Sequence, residues 1–305
     1  MAGRQVTELD TLPSFADTSL LPVHNGAGLK KGTLSQLSNY IGTKFSNPNL
    51  LINPDFKINQ RGQSTYTAEN TVTYTVDRWK AWHVTVNINE KGYINIANNE
   101  HQDEGILRQQ LETAIDGPST LSCYVESVSG TVKLEVPKSS SKIILKQGLN
   151  ILHTDDNVDS FKITLVRGSN VTLKWAKLEK GSIATAFVEP NMAEEITKCK
   201  RYFQVLNVFE GFVGSVSYWN LYTKFYVGAM RTTSPTITAN VSSATINLSG
   251  DNTDRKLQLG NIITPTMYLN ELIITHKSAT NFGYSAFSAC IFRSAIIYNV
   301  DAEIY

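Results

Sequence analysis

From residue 49 to residue 190 the sequence is a succession of short strand-like runs divided by turn chemistry, and this pattern constrains the fold more than any other feature of the chain. The runs cover 71–76, 82–88, 93–97, 121–125, 131–136, 142–145, 161–166 and 171–178. They are rich in Val, Ile, Thr, Tyr and Trp, and many alternate apolar with polar positions, the period of a half-buried strand. Asp116-Gly117-Pro118, Val128-Ser129-Gly130 and Arg167-Gly168-Ser169-Asn170 supply breaks where hairpins or crossovers are needed. Many short strands at this spacing predict a β-sandwich of the jelly-roll kind over 49–190.

The flanking segments read differently. In 1–48, Leu20-Leu21-Pro22-Val23 is a brief apolar run, and His24-Asn25-Gly26-Ala27-Gly28 supplies a turn. Thr33-Leu34-Ser35-Gln36 is a capping box, so a short helix should begin there, with Leu34, Leu37, Tyr40 and Ile41 on one side. So small a module buries little surface alone; it is expected to pack against sister chains or a host structure, and the chain to form a homotrimer. In 191–305, Asn191 caps a linking helix on which Met192, Ile196, Cys199 and Phe203 share a face. Beyond it, 211–230, 236–248, 257–263, 268–275 and 286–298 read as the strands of a C-terminal β-sandwich. The fold class is mainly β.

Composition removes several functions. The 28 Lys and Arg residues against 27 Asp and Glu give a net charge of +1, and they are scattered, so no nucleic-acid partner is expected. Residues 1–10 do not form a secretory signal, and Arg293 interrupts the apolar C-terminal segment, so no membrane insertion is expected. Cys123, Cys199 and Cys290 lack pairing or zinc spacing, and the five histidines lie far apart, so no metal and no cofactor is expected. Neither a phosphate-cradling glycine loop nor a GxSxG turn is present. A glycan-cleaving enzyme needs two carboxylates across the scissile bond. Asp155, Asp156, Asp159, Glu210, Asp251 and Asp254 all lie in polar stretches that turn chemistry explains first. Asp251-Asn252-Thr253-Asp254 lacks the ligand spacing of a calcium loop. No catalytic residue is assigned.

Three groups of residues resemble the tail fibre and receptor-binding proteins of bacteriophages. Residues 12–41, with Asp17-Thr18-Ser19-Leu20-Leu21-Pro22-Val23 and Lys31-Gly32-Thr33-Leu34-Ser35-Gln36-Leu37, resemble the module that attaches such fibres to the virion. Asn49-Leu50-Leu51-Ile52-Asn53-Pro54-Asp55-Phe56, Asp77-Arg78-Trp79 and the run from Trp175-Ala176-Lys177-Leu178-Glu179 to Phe187 resemble galactose-binding-like, carbohydrate-binding-module jelly rolls of tail proteins. Cys199-Lys200-Arg201-Tyr202-Phe203 and Asp301-Ala302-Glu303-Ile304 look like the C-terminal region of such fibres. The resemblance implies a virion attachment module (1–48), a jelly roll (49–190) and a β region for receptor binding and oligomerisation (191–305). It also implies a location in the virion tail after folding in the host cytoplasm, with other tail or baseplate proteins and host surface polysaccharide as partners. A tailspike-like depolymerase and a purely structural adaptor are the alternatives. Modules of this kind bind sugar in some proteins and act as spacers in others, so the resemblance names no ligand.

Two places draw attention as binding surfaces. Along 216–227, alternation puts Trp219, Leu221, Phe225 and Val227 on one face and Tyr218, Tyr222, Lys224 and Tyr226 on the other. If the first face is core, the second offers a row of flat amphipathic rings to a sugar or, the preferred reading in a trimer, to a sister subunit. Trp79 and Trp82 stand three apart, so a regular strand places them on opposite faces. Trp82, sharing a face with Val84, Val86 and Ile88, then reads as core and Trp79 as free to stack on a sugar, whereas a bulge brings both inward. Core packing of both is preferred. Trp175, between Leu173 and Lys177, is open to either reading.

Overall fold

The computed structural model describes residues 19–24, 28–42, 45–98, 103–214, 220–232, 234–240, 243–248, 255–258, 262–268, 271–277 and 288–303. Strands β1 (Leu20–His24) and β2 (Leu29–Thr33) pair antiparallel and lead into helix α1 (Leu34–Gly42). The capping box closes as expected. The Thr33 N–H donates to Gln36 Oε1 at 2.8 Å and the Gln36 N–H to Thr33 Oγ1 at 3.1 Å, so two donors at the helix start are satisfied reciprocally.

Twelve strands follow: β3 (Thr65–Ala68), β4 (Thr73–Tyr74), β5 (Lys80–Trp82), β6 (Val84–Ile88), β7 (Ile94–Ala97), β8 (Glu104–Ile115), β9 (Ser119–Ser129), β10 (Val132–Glu135), β11 (Lys142–Ile144), β12 (Gly148–Thr154), β13 (Val158–Val166) and β14 (Asn170–Lys180). They form two six-stranded antiparallel sheets, in the orders β11-β10-β13-β8-β5-β4 and β12-β9-β14-β7-β6-β3. Inward side chains of both, among them Leu107, Phe161 and Ile163 from one and Ile94, Leu121 and Leu173 from the other, merge in one core. Each such side chain contributes about 1.5–3 kcal/mol through removal from water. The expected β-sandwich is present.

The expected strand 82–88 is in fact two strands. His83 takes φ 52°, which ends β5 in the first sheet and starts β6 in the second. Gly105 makes this corner possible, since a Cβ there would lie 2.4 Å from Val84 Cγ1 and 2.7 Å from His83 O. Strand β8 is hidden from the period-two pattern because Gln109 points into the interior. Its amide accepts from the Ile52 N–H at 2.8 Å and donates to the Ile52 carbonyl at 2.7 Å, which removes the penalty for burying it.

Helix α2 (Met192–Lys200) starts where expected, with the Asn191 side chain accepting from the Ala193 and Glu194 N–H groups. Its buried face is only partly the expected one, for Cys199 is buried as read but Glu195 replaces Met192. Met192 is 46% exposed and Phe203 lies beyond the helix, whereas Glu195 and Cys199 are buried. Glu195 is drawn inward by the Asn53 N–H, 2.6 Å from its carboxylate, and carries Lys198 at 2.9 Å.

The remaining strands are β15 (Phe203–Gly214), β16 (Asn220–Tyr226), β17 (Thr236–Ala239), β18 (Ser243–Leu248), β19 (Arg255–Gln258), β20 (Ile262–Tyr268), β21 (Glu271–Lys277) and β22 (Ser288–Asp301). They join in one antiparallel sheet of order β19-β18-β22-β15-β16-β21-β20, with β17 also on β22. This sheet meets the sandwich through polar contacts. Gln60 donates to the Phe203 carbonyl at 2.8 Å, and the Tyr202 hydroxyl to Glu112 at 2.7 Å.

Candidate functional site

An aromatic groove lies on the outer face of the β12-β9-β14-β7-β6-β3 sheet. Tyr124 on β9 and Trp175 on β14 are cross-strand partners, and their ring centroids lie 6.2 Å apart. Trp175 stacks on Phe187 at 4.6 Å with only 4° between the ring planes. Lys174 places its ammonium 5.8 Å from the rings of both Tyr93 and Tyr124, within reach of cation–π attraction. The groove holds about 460 Å³ and is lined by Tyr93, Lys174, Trp175 and Phe187, with Asp55, Lys57, Lys91 and Glu189 completing its walls and Tyr124 beside it.

Three local devices build it. The first is a register shift in β14 between Leu173 and Trp175, which reverses the alternation, so Leu173 and Ala176 both face the core while Trp175 looks out. The second is the β6–β7 turn, in which Asn89 Oδ1 accepts from the N–H groups of Lys91 and Tyr93, both at 3.0 Å, and Gly92 supplies φ 76°. The turn delivers Lys91 and Tyr93 to the groove. The third is the segment after β14, which folds back over its own strand. Lys177, 1% exposed, donates to Thr185 Oγ1 at 2.7 Å and to the Ala186 carbonyl at 2.9 Å, while Glu179 accepts from the Thr185 N–H at 2.9 Å. Burial pulls the Lys177 pKa down and Glu179 pushes it back up. This strap ends by laying Phe187 flat on Trp175.

Chemically, the groove offers half-buried ring faces for the C–H surfaces of a ring-shaped ligand, and flanking ammonium and carboxylate groups for its hydroxyls. Lys57 pairs with Glu189 and, at 3.3 Å, with Asp55; Lys91 lies 3.5 Å from Glu126. Lys174 has no carboxylate in ion-pair range among the described residues.

Of the residues singled out from the sequence, Trp175 lies in the groove and the others fall elsewhere. Trp79 takes the preferred core reading, which removes it as a sugar-stacking ring. It is fully buried, between Phe56 at 5.0 Å and Phe161 at 5.9 Å, and its indole N–H donates to the Asn53 carbonyl at 2.8 Å. It precedes β5 on a turn in which Arg78 holds φ 72°, so strand alternation never applied to it. Trp82 corrects the core reading: it is 38% exposed and stacks on His83 at 3.8 Å. Tyr218 and Trp219 lie outside the described residues, as do Asp251 and Asp254. Tyr222, Lys224 and Tyr226 lie on β16, whose backbone pairs with β15 and β21; Lys224 is in register with Ile273 and Tyr226 with Glu271. Asp156 is held in its loop by the hydroxyls of Ser141 at 2.7 Å and Thr154 at 2.9 Å, besides Ser139.

Tyr93, Tyr124 and Phe187 are absent from the residues assigned from sequence. Tyr124 was detectable, because Leu121, Cys123 and Val125 alternate with it and all three are buried. Phe187 was not, since only the tertiary path of the strap joins it to Trp175.

Comparisons with protein-family models and with curated proteins each return no match. Among solved structures, a mutant family 29 carbohydrate-binding module is 16% identical, covering 39% of this chain and 97% of its own at a TM-score of 0.27. A salicylate 1,2-dioxygenase from Pseudaminobacter salicylatoxidans is 8% identical, covering 66% of this chain and 71% of its own at a TM-score of 0.11. A vicilin from Corylus avellana is 6% identical, covering 72% and 82% at a TM-score of 0.11.

Proposed function

We propose that the chain is a non-enzymatic attachment protein of a bacteriophage tail, and that it binds host surface glycans in the groove of Tyr93, Trp175 and Phe187, with Tyr124 beside it. The observation that supports glycan binding is this cluster itself: four half-buried rings on the outer face of a sandwich, with a cation between two of them. Such faces hold sugar rings by their C–H surfaces at little entropic cost. The tail setting and the attachment through residues 1–48 rest on the sequence resemblance, and the homotrimer on the small size of that module. In a trimer, three weak grooves reinforce one another through effective concentration.

One observation favours the structural adaptor instead. Asn53, Asp77, Arg78, Tyr202 and Phe203, all in the segments that carry the resemblance, are buried. A glycan array probed with the chain and with Trp175→Ala separates the two. Glycan binding that drops about ten-fold or more in the variant, with an unchanged melting temperature, supports the attachment reading. Silence of the whole array overturns it and leaves the adaptor.

A further inference from the structure

A second cleft lies on the other sheet, where β5 and β8 approach the turn after α2. It holds about 480 Å³ and is lined by Lys80, Arg108, Arg201 and Arg231, with Glu112 its sole carboxylate among the described residues. Glu112 is already engaged, 3.3 Å from Arg201 and accepting from the Tyr202 hydroxyl. Arg231 is fixed at one edge, its Nε donating to the Ala302 carbonyl at 2.6 Å.

The sheet register sharpens this excess of positive charge. Lys80 sits directly opposite Arg108, and Arg108 directly opposite Lys162 on its other side, so three cations stand in one cross-strand row. Like charges so placed repel. Lys162 is neutralised by Glu135 at 2.6 Å. Arg108 has no carboxylate within ion-pair range among the described residues, and Lys80 is only 4% exposed. Burial, and after it the charges of Arg108 and Arg78, bring the Lys80 pKa down to about 8. A sandwich needs no such row for its stability.

Beside the cleft, and sharing Lys80 and Arg108 with it, is a hollow of about 110 Å³ whose floor is Trp82 with Val72 and Ile106. Trp82 and Val72 are among the exposed large hydrophobic residues. An anion held by the cations therefore has a ring face next to it.

We propose that this cleft is an oxyanion site, taking a carboxylate or phosphate ester borne on a saccharide whose ring lies on Trp82. Arginine forks match both groups bidentately, which a neutral sugar cannot exploit. The site shares no residue with the aromatic groove and stands whether or not the groove binds glycans.

The test is titration calorimetry of the full chain with three probes at equal ionic strength: trigalacturonate, a galactotriose carrying a phosphate ester, and neutral galactotriose. Binding of either charged probe about ten-fold or more tightly than the neutral one is expected, and which of them binds identifies the anion. Arg108→Gln and Arg231→Gln should each weaken it by about ten-fold while circular dichroism stays unchanged. Should Arg108→Gln fail to fold, the exposed Arg231 still decides. Equal binding of all three probes, no binding, wild-type affinity in the folded arginine variants, or tighter binding of a single-stranded oligodeoxynucleotide would overturn the proposal.

Discussion

Arg78 and Glu303, 225 residues apart in sequence, form a buried ion pair with Arg78 Nη1 2.5 Å from Glu303 Oε2. The Arg78 guanidinium also donates to the Gln110 carbonyl at 2.8 Å and lies 3.6 Å from the centre of the Tyr202 ring. Glu303 receives Arg61 as well, at 3.6 Å. The pair joins the turn before β5 to the segment that follows β22.

Because both partners are almost without solvent contact, the loss of one strands the other. Glu303→Ala should therefore destabilise by about 3–5 kcal/mol in denaturant unfolding. The paired apolar replacement Arg78→Met with Glu303→Leu should recover a large part of that loss, since it leaves no unpaired charge. Additive losses in the double variant would show that the residues do not interact.

Asp77 lies in the same network and gives it a pH dependence. Burial raises its pKa to about 6, against hydrogen bonds from Gln60 and the charge of Arg61, which lower it. The folded state then holds this proton more tightly than the unfolded chain, whose Asp titrates near 3.8. The contribution is full below pH 4 and is lost as pH rises through 6, on the order of 2–3 kcal/mol. Across that window wild type should lose stability relative to Asp77→Asn as pH rises. A constant difference between the two would refute the assignment.

Much of the fold was legible. The α1 capping box, the Asn191 cap and most of the sandwich strands follow from local patterns whose causes lie within a few residues. Errors cluster where backbone conformation departs from the strand period. His83 at positive φ turned Trp82 out of the core reading preferred for it, while Trp79 kept that reading, and the register shift at Lys174 hid the outward face of Trp175. The groove needs a tertiary fold-back to bring Phe187 onto Trp175, and the cationic cleft needs three strands in register. Neither is a property of any one stretch of sequence.

Cys123 and Cys199 are free and buried, and burial pushes the Cys123 thiol up to about 12 and raises that of Cys199 too. The thiolate is the reactive form. Both should resist a thiol reagent at pH 8 in the folded protein and react on unfolding. Mass-spectrometric labelling of either site without denaturant would contradict their placement.

The last prediction separates two tryptophans three residues apart. Trp79 is enclosed by Phe56 and Phe161 and bonded to Asn53, so Trp79→Ala empties a packed site and should cost about 3–5 kcal/mol. Trp82 stands at the end of β5 with its ring partly in solvent. Its removal should therefore cost under about 1 kcal/mol, the range of surface substitutions. Quenching should divide the same way: acrylamide reaches Trp82, and Trp82→Phe removes a readily quenched part of the emission, whereas Trp79 stays shielded until unfolding. The contrast depends wholly on the chain turning at His83 from one sheet to the other. A continuous strand would carry Trp82 inward beside Val84, so a larger loss from Trp82→Ala than from Trp79→Ala would mean that this corner is wrongly placed.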